Sequence, residues 1–131
     1  MTQHFDKRSN TGLRHFLNAA RFSIDGIKSA LNHESAFRQE CAACIVLFPL
    51  AFVIAEHFIT AVALISICLI VLAVELLNSG IEAAIDRSGL EFHPLSKRAK
   101  DFGSAAVFIT LIATGLIWLA VLVDFFMRST G

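Results

Sequence analysis

Tyrosine is absent from this chain, tryptophan occurs once, proline twice and glycine seven times. So few prolines and glycines argue against an all-β chain built on tight turns. Charge is scarce as well. Of 131 residues, 17% are charged, and 11 cations balance 11 anions, against about 25% charged in ordinary soluble domains. A net charge of zero supplies no positive field to gather nucleic acid, so no nucleic-acid partner is expected. What fills the chain instead is apolar: 56% of residues are hydrophobic, and the mean hydropathy is +0.68. That excludes a disordered chain. It also excludes a lone soluble domain, because so short a chain has too little interior to hide that surface. The reading is an all-α integral membrane protein.

Three stretches carry no Asp, Glu, Lys or Arg: Cys41–Ala55, His57–Val74 and Phe102–Val123. A helical span needs about 17–25 mostly apolar residues. The third stretch suffices alone, the second continues into Glu75 and beyond, and the first borrows from its flanks. This predicts transmembrane helices at about 37–55, 58–86 and 101–126. Their wealth of Ile, Val and Phe does not make them strands, since an isolated strand in a bilayer leaves its backbone unpaired.

Basic residues set the orientation. Lys7, Arg8, Arg14, Arg21, Lys28 and Arg38 precede the first span, and Arg87, Lys97, Arg98 and Lys100 separate the second from the third. The Glu56–His57 connection has none, and only Arg128 follows the third span. The positive-inside rule then puts the N-terminus and the 87–100 loop in the cytoplasm. Met1–Asn10 is polar and has no apolar signal-peptide core, so the first span is expected to direct insertion, as suits a bacterial inner membrane. Between Gly12 and Leu31, apolar residues recur at Leu13, Phe16, Leu17, Ala20, Ile24, Ile27 and Leu31. These steps of three and four predict an amphipathic surface helix over 12–33. Residues 1–11 read as a disordered polar lead and 12–131 as a single domain.

Cys41 and Cys44 form a CxxC pair, and Cys68 stands alone. One such pair offers two ligands where zinc takes three or four, so the cysteines read as buried membrane thiols. No GxxxxGK[ST] loop exists, and no set of GxGxxG, HRD and DFG. This excludes a P-loop enzyme and a soluble kinase as far as motifs can.

The informative charges border the apolar runs. Glu75, Asn78, Glu82 and Asp86 are offset by three, seven and eleven residues and share one side of a helix. A charge deep in a bilayer costs about 2.5–3.5 kcal/mol, so a stripe of this kind should face protein or a water-filled site. Asp86 followed by Arg87 is equally read as the helix leaving the membrane. Two further clusters sit at the same depth. Glu34 to Glu40 is read otherwise as a surface ion pair of Glu34 with Arg38, and Lys97 to Asp101 as a positive-inside anchor. Together they would place carboxylates and cations at one membrane surface. Carboxylates hold Mg²⁺ with substrate phosphates, and lysine binds phosphate as a point charge. The combination points to phosphoryl transfer. Ser79 with Ala83, and Gly80 with Ala84, are small-residue pairs that permit close helix packing. Three spans bury little alone, so a homo-oligomer is expected.

The blocks Glu34-Ser35-Ala36-Phe37-Arg38-Gln39-Glu40, Glu75-Leu76-Leu77-Asn78-Ser79-Gly80-Ile81-Glu82 through Asp86-Arg87, and Arg98-Ala99-Lys100-Asp101-Phe102-Gly103-Ser104-Ala105-Ala106-Val107 closely resemble the prokaryotic diacylglycerol kinase family, in order and in spacing. The resemblance runs from about Gly12 to the third span, with a poorer match at His15, Asn18 and Leu31 of the surface helix. It implies an inner-membrane homotrimer of three-span subunits with an N-terminal surface helix. It implies transfer of the ATP γ-phosphate to the hydroxyl of diacylglycerol, giving phosphatidate at the cytoplasmic surface. By that likeness Glu75 is the general base and also meets the lipid, and Asn78 orients the catalytic carboxylate. Glu34 and Glu82 hold the Mg²⁺ that accompanies ATP. Glu91, His93, Lys100 and Asp101 contact the nucleotide, and Phe37, Arg38, Gln39, Ser104 and Trp118 line the lipid site.

Other readings stay open beside it. An undecaprenol kinase on the same fold would carry the same motifs. A non-enzymatic membrane assembly protein could use its carboxylates only for packing. A small transporter would use them as an ion path.

Overall fold

A computed structural model describes residues 13–89 and 91–130; the polar lead expected at 1–11 lies outside them. Four helices follow one another: α1 Leu13–His33, α2 Ser35–Ile54, α3 Phe58–Arg87 and α4 Pro94–Thr130. Each boundary has a local cause. Glu34 adopts an extended backbone that ends α1 and starts α2, while its own N–H still closes the last turn on Ala30 O at 2.8 Å. His57 is extended in the same way ahead of α3, and its carbonyl accepts the N–H groups of Thr60 and Ala61. After α3 the chain turns at Gly89, whose φ of +134° is open to glycine and strained for other residues.

The three apolar helices fall where the uncharged runs predicted them. The start of α4 does not. A loop was expected up to Lys100, but the helix begins at Pro94, two turns before the apolar run. Proline suits a first helical position because its missing N–H would have no helical partner there. Lys97, Arg98, Lys100 and Asp101 therefore stand on a helix rather than in a loop.

Short connections make α2, α3 and α4 run up, down and up. The long helix α3 lies between the other two and packs on both, whereas α2 and α4 scarcely touch. The core is thin: Cys44, Ala51 and Ile54 of α2, Ala61, Leu64 and Cys68 of α3, and Trp118 of α4. In α4 only Gly103 and Trp118 are buried. The outward faces carry Ile45, Val46, Phe52, Phe58, Ile59, Phe108, Ile109 and Leu116, all exposed. Contiguous apolar surface on this scale is not tolerated by a lone protein in water. It is matched to hydrocarbon, and all three helices are long and apolar enough to cross a bilayer. Two hydroxyls in these stretches are satisfied locally: Thr110 and Thr114 donate to carbonyls one turn back, at 2.7 and 2.8 Å.

At the end opposite Asn78 and Gly103, Arg128 ties three elements together. Its guanidinium meets Glu56 at 3.3 Å and Asp124 at 3.1 Å, and it donates to Ile54 O at 3.3 Å. On α1, by contrast, Phe16, Leu17, Phe22, Ile24, Ile27 and Leu31 are all exposed. Among the described residues, most of the apolar stripe of α1 is exposed.

Candidate active site

Glu75 is 5% exposed, the one buried charged side chain among the described residues. It lies on α3 below the apolar run, and Glu34, Glu40 and Glu82 are within electrostatic reach of it. These four carboxylates come from the α1–α2 junction, from α2 and from two levels of α3. Seven residues separate Glu75 from Glu82, which is two turns or about 10 Å of helix, so both face one way at different depths. Like charges gathered in a partly apolar setting repel, so a cation brought among them is favoured.

Asn78 sits between them. Its Nδ2 donates to Glu82 Oε1 at 3.3 Å. Its Oδ1 is buried with no donor, as is Oε2 of Glu40. The cause of the Asn78 orientation is Gly103 on α4. A β-carbon built at Gly103 would stand 2.2 Å from Asn78 Oδ1 and 3.2 Å from its Cγ. The absent side chain lets α4 approach α3 here and leaves the Asn78 amide its room.

The cations lie one level further out. Lys100 Nζ pairs with Asp86 Oδ1 at 2.5 Å, joining α4 to α3, and Lys97 Nζ pairs with Asp101 Oδ2 at 2.5 Å along α4. His93 is used structurally: its Nδ1 accepts the N–H of Leu95 at 3.2 Å and its carbonyl accepts that of Lys97 at 3.1 Å. Glu91 and His93 are both exposed. On the α2 side Phe37 is buried, while Arg38 and Gln39 are exposed. Arg38 reaches back to Leu31 O at 3.2 Å, which holds the end of α1 over the start of α2. Ser104 is exposed beside buried Gly103.

Trp118 stands apart. It packs in the core with Cys44 and Cys68, and Cys68 is about two turns of α3 from Glu75. Ser79, Gly80 and Ala83 are small residues on one stretch of α3. With Gly26, Ile27, Ala30, Glu34 and Leu76 they line a cleft of about 470 Å³ between α1 and α3, and Gly80 has open space around it. Sequence reasoning gives no definite site role to three members of this neighbourhood: Glu40 stands only within a charged cluster, Asp86 is divided between site and helix end, and Gly103 has no partner until α4 lies on α3.

The sequence profile of prokaryotic diacylglycerol kinases matches residues 21–122. The chain belongs to that family. Among its relatives, a diacylglycerol kinase of Haemophilus influenzae is 48% identical over 112 residues, covering 86% of this chain and 95% of that protein. Those of Pseudomonas aeruginosa and Escherichia coli are 45% and 44% identical over 115 and 114 residues, covering 88% and 87% of this chain and 94% and 93% of theirs. Every block of the candidate site falls inside the matched range.

A kinase family implies a divalent metal that arrives with ATP. Among the described residues no three or more His, Cys, Asp or Glu side chains converge as a metal cage. The donor set still suits a hard cation. Mg²⁺ commonly takes one or two carboxylates and completes its shell with phosphate oxygens and water. Glu34 and Glu82, both acting on Glu75, are of that kind, so the residues present fit a metal carried in by a nucleotide.

Proposed function

We propose that this chain is a lipid kinase that transfers the γ-phosphate of ATP to the hydroxyl of diacylglycerol, forming phosphatidate at the cytoplasmic surface of the bacterial inner membrane. The observation that carries the reading is the buried Glu75, flanked by Glu34, Glu82 and Asn78, in a member of this family. Glu75 is the general base. Burial beside an apolar run gives it a dry approach to a lipid hydroxyl. As the hydroxyl oxygen bonds to the γ-phosphorus, its proton passes to a Glu75 carboxylate oxygen. The bond from the γ-phosphorus to the bridging oxygen breaks, and ADP leaves. Phosphoryl transfer needs alignment and charge neutralisation more than covalent help.

Asn78 orients the carboxylates. Its Nδ2 already holds Glu82. Glu34 and Glu82 are the residues that would hold Mg²⁺, which when bound neutralises phosphate charge. Lys100 and Asp101, with Glu91 and His93 at the foot of α4, contact the nucleotide. A phosphate oxygen competes with Asp86 for the Lys100 ammonium. Phe37, Arg38, Gln39, Ser104 and Trp118 line the path of the lipid. Its N-terminus is cytoplasmic, as the distribution of Lys and Arg supports, and α1 lies on the membrane surface with its uncovered apolar stripe in the lipid. The subunits form a homotrimer. The scant cover over α4, where only Gly103 and Trp118 are buried, supports association.

The test is turnover of ATP by purified protein in mixed micelles with Mg²⁺, supplying diacylglycerol and undecaprenol in parallel and using Glu75→Gln as control. Phosphatidate formation that disappears in the control is the expected result. Preference for undecaprenol would keep the mechanism and change the substrate, and Glu75-independent turnover would overturn the base.

A further inference from the structure

The CxxC spacing suggests Cys41 and Cys44 as the thiol pair of this chain, yet the fold pairs Cys44 with a different partner. Cys44 on α2 and Cys68 on α3 are both buried in the same core cluster. They line one small cavity of about 80 Å³ together with Glu40, Val71 and Thr114. Cys44 is 8% exposed and Cys68 3%. Trp118 of α4 closes the group from the third side. Its indole N–H is buried with no hydrogen-bond partner. Cys41, one turn earlier on α2, is only partly buried.

We propose that Cys44 and Cys68 are a modification site: a thiol pair that closes to an intrachain disulfide under a lipid-soluble two-electron oxidant and so bolts α2 to α3. The small residues Ala51 and Ala61, both fully packed between the helices, allow the close approach that a disulfide requires. With an azodicarboxamide as oxidant, one of the two cysteine sulfurs adds to one nitrogen of the N=N bond, and the other sulfur then attacks the first and expels the hydrazine. Two S–H bonds break, one S–S bond forms, and both electrons and both protons end on the two nitrogens. The pair is sealed from water, so the oxidant must arrive through the apolar phase. The bond would join helices whose nearby turns carry Glu40, one turn from Cys44, and Glu75, two turns from Cys68.

The test uses the full chain in lipid micelles, treated with diamide, denatured in SDS and counted for free thiols with a maleimide. Three cysteines are free in the reduced chain. After oxidation only Cys41 should remain reactive, the intact mass should fall by two hydrogens, peptide mapping should join Cys44 to Cys68, and dithiothreitol should reverse all of it. Cys68→Ala should keep both remaining thiols free under the same treatment, with Cys44→Ser as a second variant should the first not fold. Three free thiols after oxidation, or a disulfide that includes Cys41, would overturn the proposal. The readout does not use kinase activity, so it stands or falls separately from the function proposed above.

Discussion

Asn78 of α3 and Gly103 of α4 meet with no room for a single added carbon: a β-carbon at Gly103 would lie 2.2 Å from Asn78 Oδ1. The same amide donates to Glu82 at 3.3 Å. A packing fact on α4 therefore sets the posture of a polar residue on α3, and through it that of a carboxylate.

Gly103→Ala tests this relationship. The methyl group would force the Asn78 side chain to rotate and release Glu82. Overpacking of this kind costs about 1–3 kcal/mol, while misplacing a catalytic group lowers turnover by about tenfold or more. The expected outcome is a modest fall in Tm with a disproportionate fall in kcat, measured on the same detergent-solubilised preparation. Equal kcat would show that the position of Asn78 is immaterial.

Glu75→Gln keeps the shape of the side chain and removes the proton acceptor. Because Glu75 is buried among other carboxylates, loss of its charge should leave Tm unchanged or slightly raised. Turnover should vanish. Activity above about a tenth of wild type exceeds what remains when a proton-transfer group worth 10²–10⁴ is removed, and would exclude Glu75 as the base.

Glu82→Gln separates metal binding from amide positioning. A glutamine oxygen still accepts from Asn78 Nδ2, so packing is preserved, but the negative charge is gone. The Mg²⁺ concentration giving half-maximal activity should rise by about tenfold, the lower end of what disturbed metal sites lose. An unchanged Mg²⁺ titration would remove Glu82 from the metal site.

Arg128→Leu probes the opposite end. It breaks contacts to Glu56, Asp124 and Ile54 O, of which the two ion pairs are partly open to solvent, and should cost about 1 kcal/mol of stability. Tm should drop by a few degrees while kcat and KM at low temperature stay at wild-type values. A change in KM for ATP would mean that the far end communicates with the site.

Much of this protein was legible before any fold was seen. Charge-free runs of the right length located the three apolar helices, because a bilayer admits little else. The spacing of Glu75, Asn78 and Glu82 put them on one helical side, because helical period is a local property. Local rules did less well at the foot of α4, where basic residues and a proline read as loop but Pro94 opens a helix.

Contacts between helices obey no such rule. They depend on how far each helix is turned about its axis and slid along its neighbour, which packing of all of them decides together. That is why Glu75 alone of the described charged residues is buried, why Lys100 meets Asp86 and Lys97 meets Asp101, and why Cys44 shares a cavity with Cys68 rather than with Cys41. The sequence by itself determined which segments enter the membrane and which residue types stand at its edge. Only the tertiary structure decided which of those residues touch, because touching is a relation between surfaces far apart along the chain.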